Sequence, residues 1–157
     1  MRRKKKENRD LMLDPLYDSR LVAKLTNHLM FSGKKSTAQR VMWGALEEIK
    51  KAVKKDETPV AVLEQAMKNI TPIVEIRPRR IGGATYQVPR EVQPDRGFSL
   101  AARWLISAAR AKKGKPMAKK LAEEILLATK NEGAAIKKKL DTHRMAEANR
   151  AFAHFAW

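Results

Sequence analysis

"EIRPRRIGGATYQVPR", residues 75–90, reads as a β-hairpin in a chain that otherwise reads as helix. Glycines accept the positive φ that a two-residue hairpin turn requires, so Gly82-Gly83 sets the register. Ile81 then faces Ala84, Arg80 faces Thr85, Arg79 faces Tyr86, Pro78 faces Gln87, Arg77 faces Val88, Ile76 faces Pro89 and Glu75 faces Arg90. The pair flanking the turn is hydrogen-bonded and the type alternates from there. Pro78 and Pro89 both fall at non-hydrogen-bonded pairs, where a missing N–H costs no ladder bond and blocks strand addition. Glu75 opposite Arg90 and Arg79 opposite Tyr86 are favourable cross-strand pairs. A two-stranded ribbon is marginal alone. Its base is expected to rest on the helical body through Ile73 and Val92, leaving a tip that is mobile when free and ordered on contact with phosphate.

Helical periods lie on both sides. From Ser19, Leu21, Leu25, His28 and Leu29 share a face, which predicts a core position for His28. After "FSGKKS", Ser36 and Gln39 form a capping box, and the buried stripe is Met42, Leu46, Ile49 and Val53. Thr58 caps a third helix, with Pro59 at its first position and Leu63, Ala66, Met67 and Ile70 inside. Beyond the ribbon, Asp95 or Ser99 caps a fourth helix that buries Ala101, Trp104, Leu105 and Ala108, with Arg103 and Arg110 on one side. Gly114 ends it, and Pro116 opens a fifth with Met117, Leu121, Ile125 and Ala128 inside. "NEG" precedes a last helix from Ala134, with Met145, Ala148 and Phe152 in phase. The fold class is mainly α: one domain of about six helices, with a two-stranded antiparallel β-ribbon between the third and fourth. Residues 1–17 form a basic arm, 18–72 the first three helices, 73–92 the ribbon, and 93–157 the last three helices and tail.

Composition points to a partner. The 157 residues hold 34 Lys+Arg against 17 Asp+Glu, a net charge of +17. Such an excess repels itself unless a polyanion is near. Nucleic acid is the leading partner, through counterion release; an anionic membrane surface comes second. The arm carries Arg2, Arg3, Lys4, Lys5, Lys6 and Arg9. No apolar run approaches the about 20 residues of a membrane span, and the N-terminus lacks the apolar stretch of a secretory signal. With no cysteine there is no disulfide framework, cysteine-bound zinc or thiol nucleophile.

Catalytic motifs fail. "SGKKS" lacks the first glycine of a phosphate loop, whose place His28 takes, and follows a helix rather than a strand. His28, His143 and His154 have no ligand at metal spacing. Glu47, Glu48, Glu123 and Glu124 sit among lysines and read as surface ion pairs. No nucleophile, base and orienting group assemble. The reading is a binding protein with no enzymatic activity, cofactor, metal or small-molecule substrate.

"GKKSTAQRVMWGALE", "VEIRPRRIGGATYQVPREVQP" and "DTHRMAEANRAFAHFAW" resemble the family of small-subunit ribosomal protein seven, in its bacterial form. The resemblance covers nearly the whole chain in the same order. It implies six helices with a ribbon between the third and fourth. It implies binding to the small-subunit rRNA 3′ major domain, early organisation of the subunit head, and a place beside other small-subunit proteins near the exit-site tRNA and the mRNA exit path. By the same resemblance the arm follows rRNA grooves, and Lys34, Lys35 and Ser36 meet rRNA backbone. Arg77, Arg79, Arg80 and Tyr86 belong to the ribbon contact, with Gly82 and Gly83 toward tRNA and mRNA. Arg96, Arg103, Arg110, Lys113 and Lys115 extend the contact, and His143, Arg144 and Arg150 approach the tRNA side. Gln93, Gly97, Leu140 and Ala156 depart from the family's usual residues, and Arg90 adds a charge. The competing reading is a histone-like DNA-binding protein, which needs the same charge but no preference for a folded RNA junction.

Overall fold

Six α-helices and one β-ribbon make up the computed structural model, which describes residues 12–53 and 57–155. Helix α1 spans Arg20–Leu29, α2 Lys35–Ala52, α3 Pro59–Ile70, α4 Pro94–Ala111, α5 Met117–Thr129 and α6 Ala134–Ala148. Strands β1 (Val74–Ile81) and β2 (Ala84–Glu91) lie between α3 and α4, and a 3-10 helix, Arg150–Phe155, follows α6. The basic-arm residues Arg2 to Arg9, and the departure at Ala156, lie outside the described residues.

The core forms where the apolar stripes converge. Leu25, Met42, Leu46, Ile49, Leu63, Ile70, Leu105, Leu121 and Ile125 are fully buried in one cluster. Each such side chain contributes about 1.5–3 kcal/mol through burial. Small residues let the helices approach: Ala45, Ala66, Ala101, Ala109 and Ala128 are also sealed. Polar ties join the elements. Asn69 at the end of α3 donates its Nδ2 to the carbonyls of Ala128 (2.9 Å) and Thr129 (3.1 Å), satisfying the end of α5. Lys139 of α6 donates to the Asn69 carbonyl at 2.6 Å.

Two predicted helix starts hold. The Ser19 and Thr58 side chains accept from Val22 N–H and Ala61 N–H. Two others do not. Helix α2 begins two residues early, with Lys34 rather than Ser36 at its N-cap and no side-chain cap, because a turn through Ser32 (φ 50°) and Gly33 (φ 74°) delivers Lys35 directly into the first turn. Ser36 is therefore already helical and the capping box does not form. Helix α4 begins at Pro94 with Gln93 at the N-cap, since proline suits the first position. Asp95 then sits in the first turn, and the Ser99 hydroxyl donates to the Asp95 carbonyl inside the helix.

Facing also differs in places. His28 is exposed rather than in the core, its ring tilted against Phe98 at 5.9 Å. In α6 the inward residues are Ala135, Ile136, Thr142 and Ala146, whereas Met145 and Ala148 are exposed. The α-helix stops at Ala148, so Phe152 belongs to the 3-10 helix and not to that phase. Glu124 is buried, not a surface pair. Its Oε1 accepts from Ala135 N–H at 3.0 Å, capping α6, and its Oε2 meets Lys112 Nζ at 2.8 Å. Residues 12–17, placed in the arm by sequence, fold onto α2. Asp14 is buried, accepts from Leu16 and Tyr17 N–H, and takes the Trp43 indole N–H at 3.1 Å.

Candidate nucleic-acid interface

The ribbon has the register the glycines and prolines dictate, with Arg79 against Tyr86 and Pro78 and Pro89 opposite Gln87 and Ile76. Val92 N–H donates to the Ile73 carbonyl at 2.9 Å. Alternation from that bond puts both prolines at non-hydrogen-bonded pairs. Gly82 (φ 56°) and Gly83 (φ 88°) supply the left-handed turn.

The support of the ribbon differs from the expectation in part. Val92 is half-buried beside Gly97 of α4, but Ile73 is exposed, and the further anchors are Val88, which is sealed, Pro72, and the Glu75 carboxylate. Glu75 faces Arg90 in register, but its charge is taken by two other arginines. Arg77 Nε donates to Oε1 at 2.7 Å, and Arg96 Nε of α4 donates to Oε2 at 3.1 Å. Burial pushes the Glu75 carboxyl up; the hydrogen bonds from Arg77 and Arg96 and their charges outweigh it and hold the group below its ordinary 4.5. A second support is aromatic. Tyr86 lies 5.1 Å from Phe152 and 5.9 Å from Phe155, so the 3-10 helix covers part of its ring.

Of the ribbon arginines, Arg80 is exposed beside the glycine tip and has no ion-pair partner among the described residues. Lys34, Lys35 and Ser36 are exposed on the turn into α2. Arg110 reaches across from α4 to donate to the Leu29 carbonyl at 3.2 Å, which brings it to the rim of the hollow that Lys34 also lines. Arg103 and Lys113 are exposed, while Lys115 pairs with Glu123. Arg144 and Arg150 are exposed near the chain's end. His143 is committed inward: its Nε2 accepts Ile73 N–H at 3.3 Å. Burial, then the nearby Lys139 cation, lowers its pKa from 6.5 and keeps the ring neutral.

These positions form three groups. Lys34 and Arg110 line one hollow at the α1–α2 turn, and Arg77 and Arg96 meet on Glu75. A hollow of about 620 Å³ between the ribbon and α6 is lined by Pro89, Arg90, His143, Glu147 and Arg150. Arg90 joins this hollow although its sequence position, opposite Glu75, reads as an ion pair rather than a contact residue. No helix among the described residues is long and apolar enough to cross a membrane.

The sequence model described as ribosomal protein S7p/S5e matches residues 1–150. The chain belongs to that family. It is 59% identical over 157 residues to the small ribosomal subunit protein uS7 of Thermotoga neapolitana, covering 100% of both chains. To that of Thermotoga maritima it is 58% identical over 157 residues. To that of Dictyoglomus thermophilum it is 56% identical over 149 residues, 95% of this chain and 94% of the relative. S7p/S5e proteins are ribosomal proteins, not enzymes. One departure has a structural setting. Gly97, where the resemblance leads to a positive charge, is buried, and a Cβ there would stand 3.0 Å from Thr71 Cγ2.

Proposed function

We propose that this chain is a structural constituent of the small ribosomal subunit. It binds the 3′ major domain of the small-subunit rRNA, organises the head during assembly, and lies near the exit-site tRNA and the mRNA exit path beside neighbouring ribosomal proteins. Family membership over nearly the whole chain supports the assignment, as does the name its relatives carry, small ribosomal subunit protein uS7. The observation that carries the RNA contact is the placement of charge. Lys34, Lys35, Arg80, Arg103, Lys113, Arg144 and Arg150 stand exposed without an ion-pair partner among the described residues, on turns, on the ribbon tip and along helices. Phosphate oxygens supply the missing counter-charge. The deep, narrow major groove of A-form RNA is closed to side chains, so the junction is chosen by shape.

Lys34, Lys35 and Ser36, the ribbon arginines with Gly82 and Gly83, and Arg103, Arg110, Lys113 and Lys115 are assigned to rRNA. Arg144 and Arg150 are assigned to the tRNA side. His143 and Tyr86 act by positioning neighbours, given the bonds they already make. Filter binding tests this against a head-domain rRNA fragment, an unrelated folded RNA of equal length, and duplex DNA. Tight binding to the head fragment alone is expected. Equal affinity for all three overturns the reading in favour of nonspecific polyanion binding.

A further inference from the structure

Phe31 stands where folding alone gives it no reason to be. It is 76% exposed, while the other Phe, Tyr and Trp side chains among the described residues are all at least partly buried. A phenylalanine left in water forgoes about 1.5–3 kcal/mol of burial. The backbone holds it there. Ser32 and Gly33 both adopt positive φ, and Lys34 N–H donates to the Phe31 carbonyl at 3.1 Å, closing a tight turn with Phe31 at its entry. For Ser32 that conformation is strained, since it is no glycine.

The surroundings define what would cover the ring. Phe31 edges a shallow hollow of about 170 Å³, floored by Leu29, Ala38, Val41 and Met117 and flanked by Lys34 and Arg110. The Arg110 guanidinium is fixed there by its bond to the Leu29 carbonyl. Among the described residues, no acidic side chain lines the hollow. A flat apolar ring beside two cations matches one ligand chemistry closely: an unpaired nucleobase, whose face stacks on the aromatic while its phosphate meets the cations.

Resting on the RNA-binding reading above, we infer that Phe31, Lys34 and Arg110 form a stacking site for a single unpaired RNA base. The stacked face is Phe31. Lys34 and Arg110 take the flanking phosphate, and the apolar floor excludes water from beneath the base. A stacked base contributes in proportion to ring overlap and is indifferent to salt, whereas a phosphate contact is salt-dependent.

That difference gives the test. Binding of the head-domain rRNA fragment is measured for the wild-type chain, Phe31→Ala, Phe31→Trp and Lys34→Gln across a salt series. Phe31→Ala is expected to bind roughly tenfold more weakly at every salt concentration, with an unchanged slope. Phe31→Trp restores affinity, and Lys34→Gln makes the slope shallower. An exposed ring is not needed for folding, so all variants should melt like the wild type. In a fragment substituted with 5-iodouridine, irradiation should give an adduct on the peptide carrying Phe31. No binding by the wild type overturns the ribosomal reading and this site with it. Wild-type binding with undiminished Phe31→Ala affinity overturns the site alone. Retained RNA affinity with lost binding to another subunit protein assigns the ring to a protein contact instead.

Discussion

The Glu75 carboxylate of β1 and the Arg96 guanidinium of α4 meet at 3.1 Å and fasten the ribbon to the helical body. Arg77 shares the same carboxylate at 2.7 Å. Replacing Glu75 by Gln should cost about 1 kcal/mol, because both arginines are partly solvated and the bonds are charge-assisted. The pH dependence has a definite sign. The folded pKa of Glu75 lies below its ordinary 4.5, so its contribution is complete above that value and is lost as pH falls through the folded pKa. Urea melts between neutral pH and pH about 3 should show a smaller acid loss for Glu75→Gln than for the wild type. Identical acid profiles would separate Glu75 from the acid transition.

The same geometry divides the ribbon arginines. Arg80→Gln should leave stability unchanged and lower the salt slope of rRNA binding by roughly one. Arg77→Gln should lower stability, since it strips a buried carboxylate of a partner, and should change the slope less. Thermal melts paired with salt titrations distinguish them; equal slopes for both variants would show that the internal pair does not hold Arg77 back from phosphate.

Glu124 is fully buried between α5 and α6, and Gly133 stands against it at φ 96°. Glu124→Ala uncaps Ala135 and strands Lys112, at a cost of roughly 3 kcal/mol. Gly133→Ala should be damaging for a separate reason: its Cβ would lie 2.8 Å from Glu124 Oε1, at a φ that side chains rarely adopt. Chemical denaturation checks both, and a loss below about 1 kcal/mol for Glu124→Ala would mean the site relaxes and rehydrates.

His143 accepts Ile73 N–H only as the neutral ring. Its folded pKa lies below 6.5, so the stability it contributes is present above that value and falls as pH drops through the folded pKa. His28, exposed but with its ring against Phe98, is lowered likewise, by partial desolvation and then by Arg103 and Lys24. The melting temperature should decline from pH 7 to pH about 5.5, less steeply in His143→Gln, and less still when His28→Gln is added. A slope unaffected by either change would place the titration elsewhere.

What could be read from the sequence was local. Gly82-Gly83, Pro78 and Pro89 constrain one another strongly enough to fix every pair of the ribbon, and Thr58-Pro59 marks a helix start by itself. What could not be read was decided by packing between distant segments. Glu123 and Glu124 are adjacent on one helix, and only the docking of α6 determines that the second turns inward. Helix α6 carries its large apolar residues sparsely, so Thr142 and Ala146 take the core side while Leu140 and Met145 face out. At the candidate interface the cationic segments were legible from charge. The capture of Arg77 and Arg96 by one carboxylate was not, because Arg96 lies 21 residues beyond Glu75.

The contact of Tyr86 with Phe152 and Phe155 makes the ribbon answer to a segment far along the chain. The hairpin can close on its own turn from local sequence, but its aromatic backing comes from the 3-10 helix that follows α6. Loosening that helix would leave the strands paired and the arm unbacked, so the stiffness of the ribbon is set from outside it.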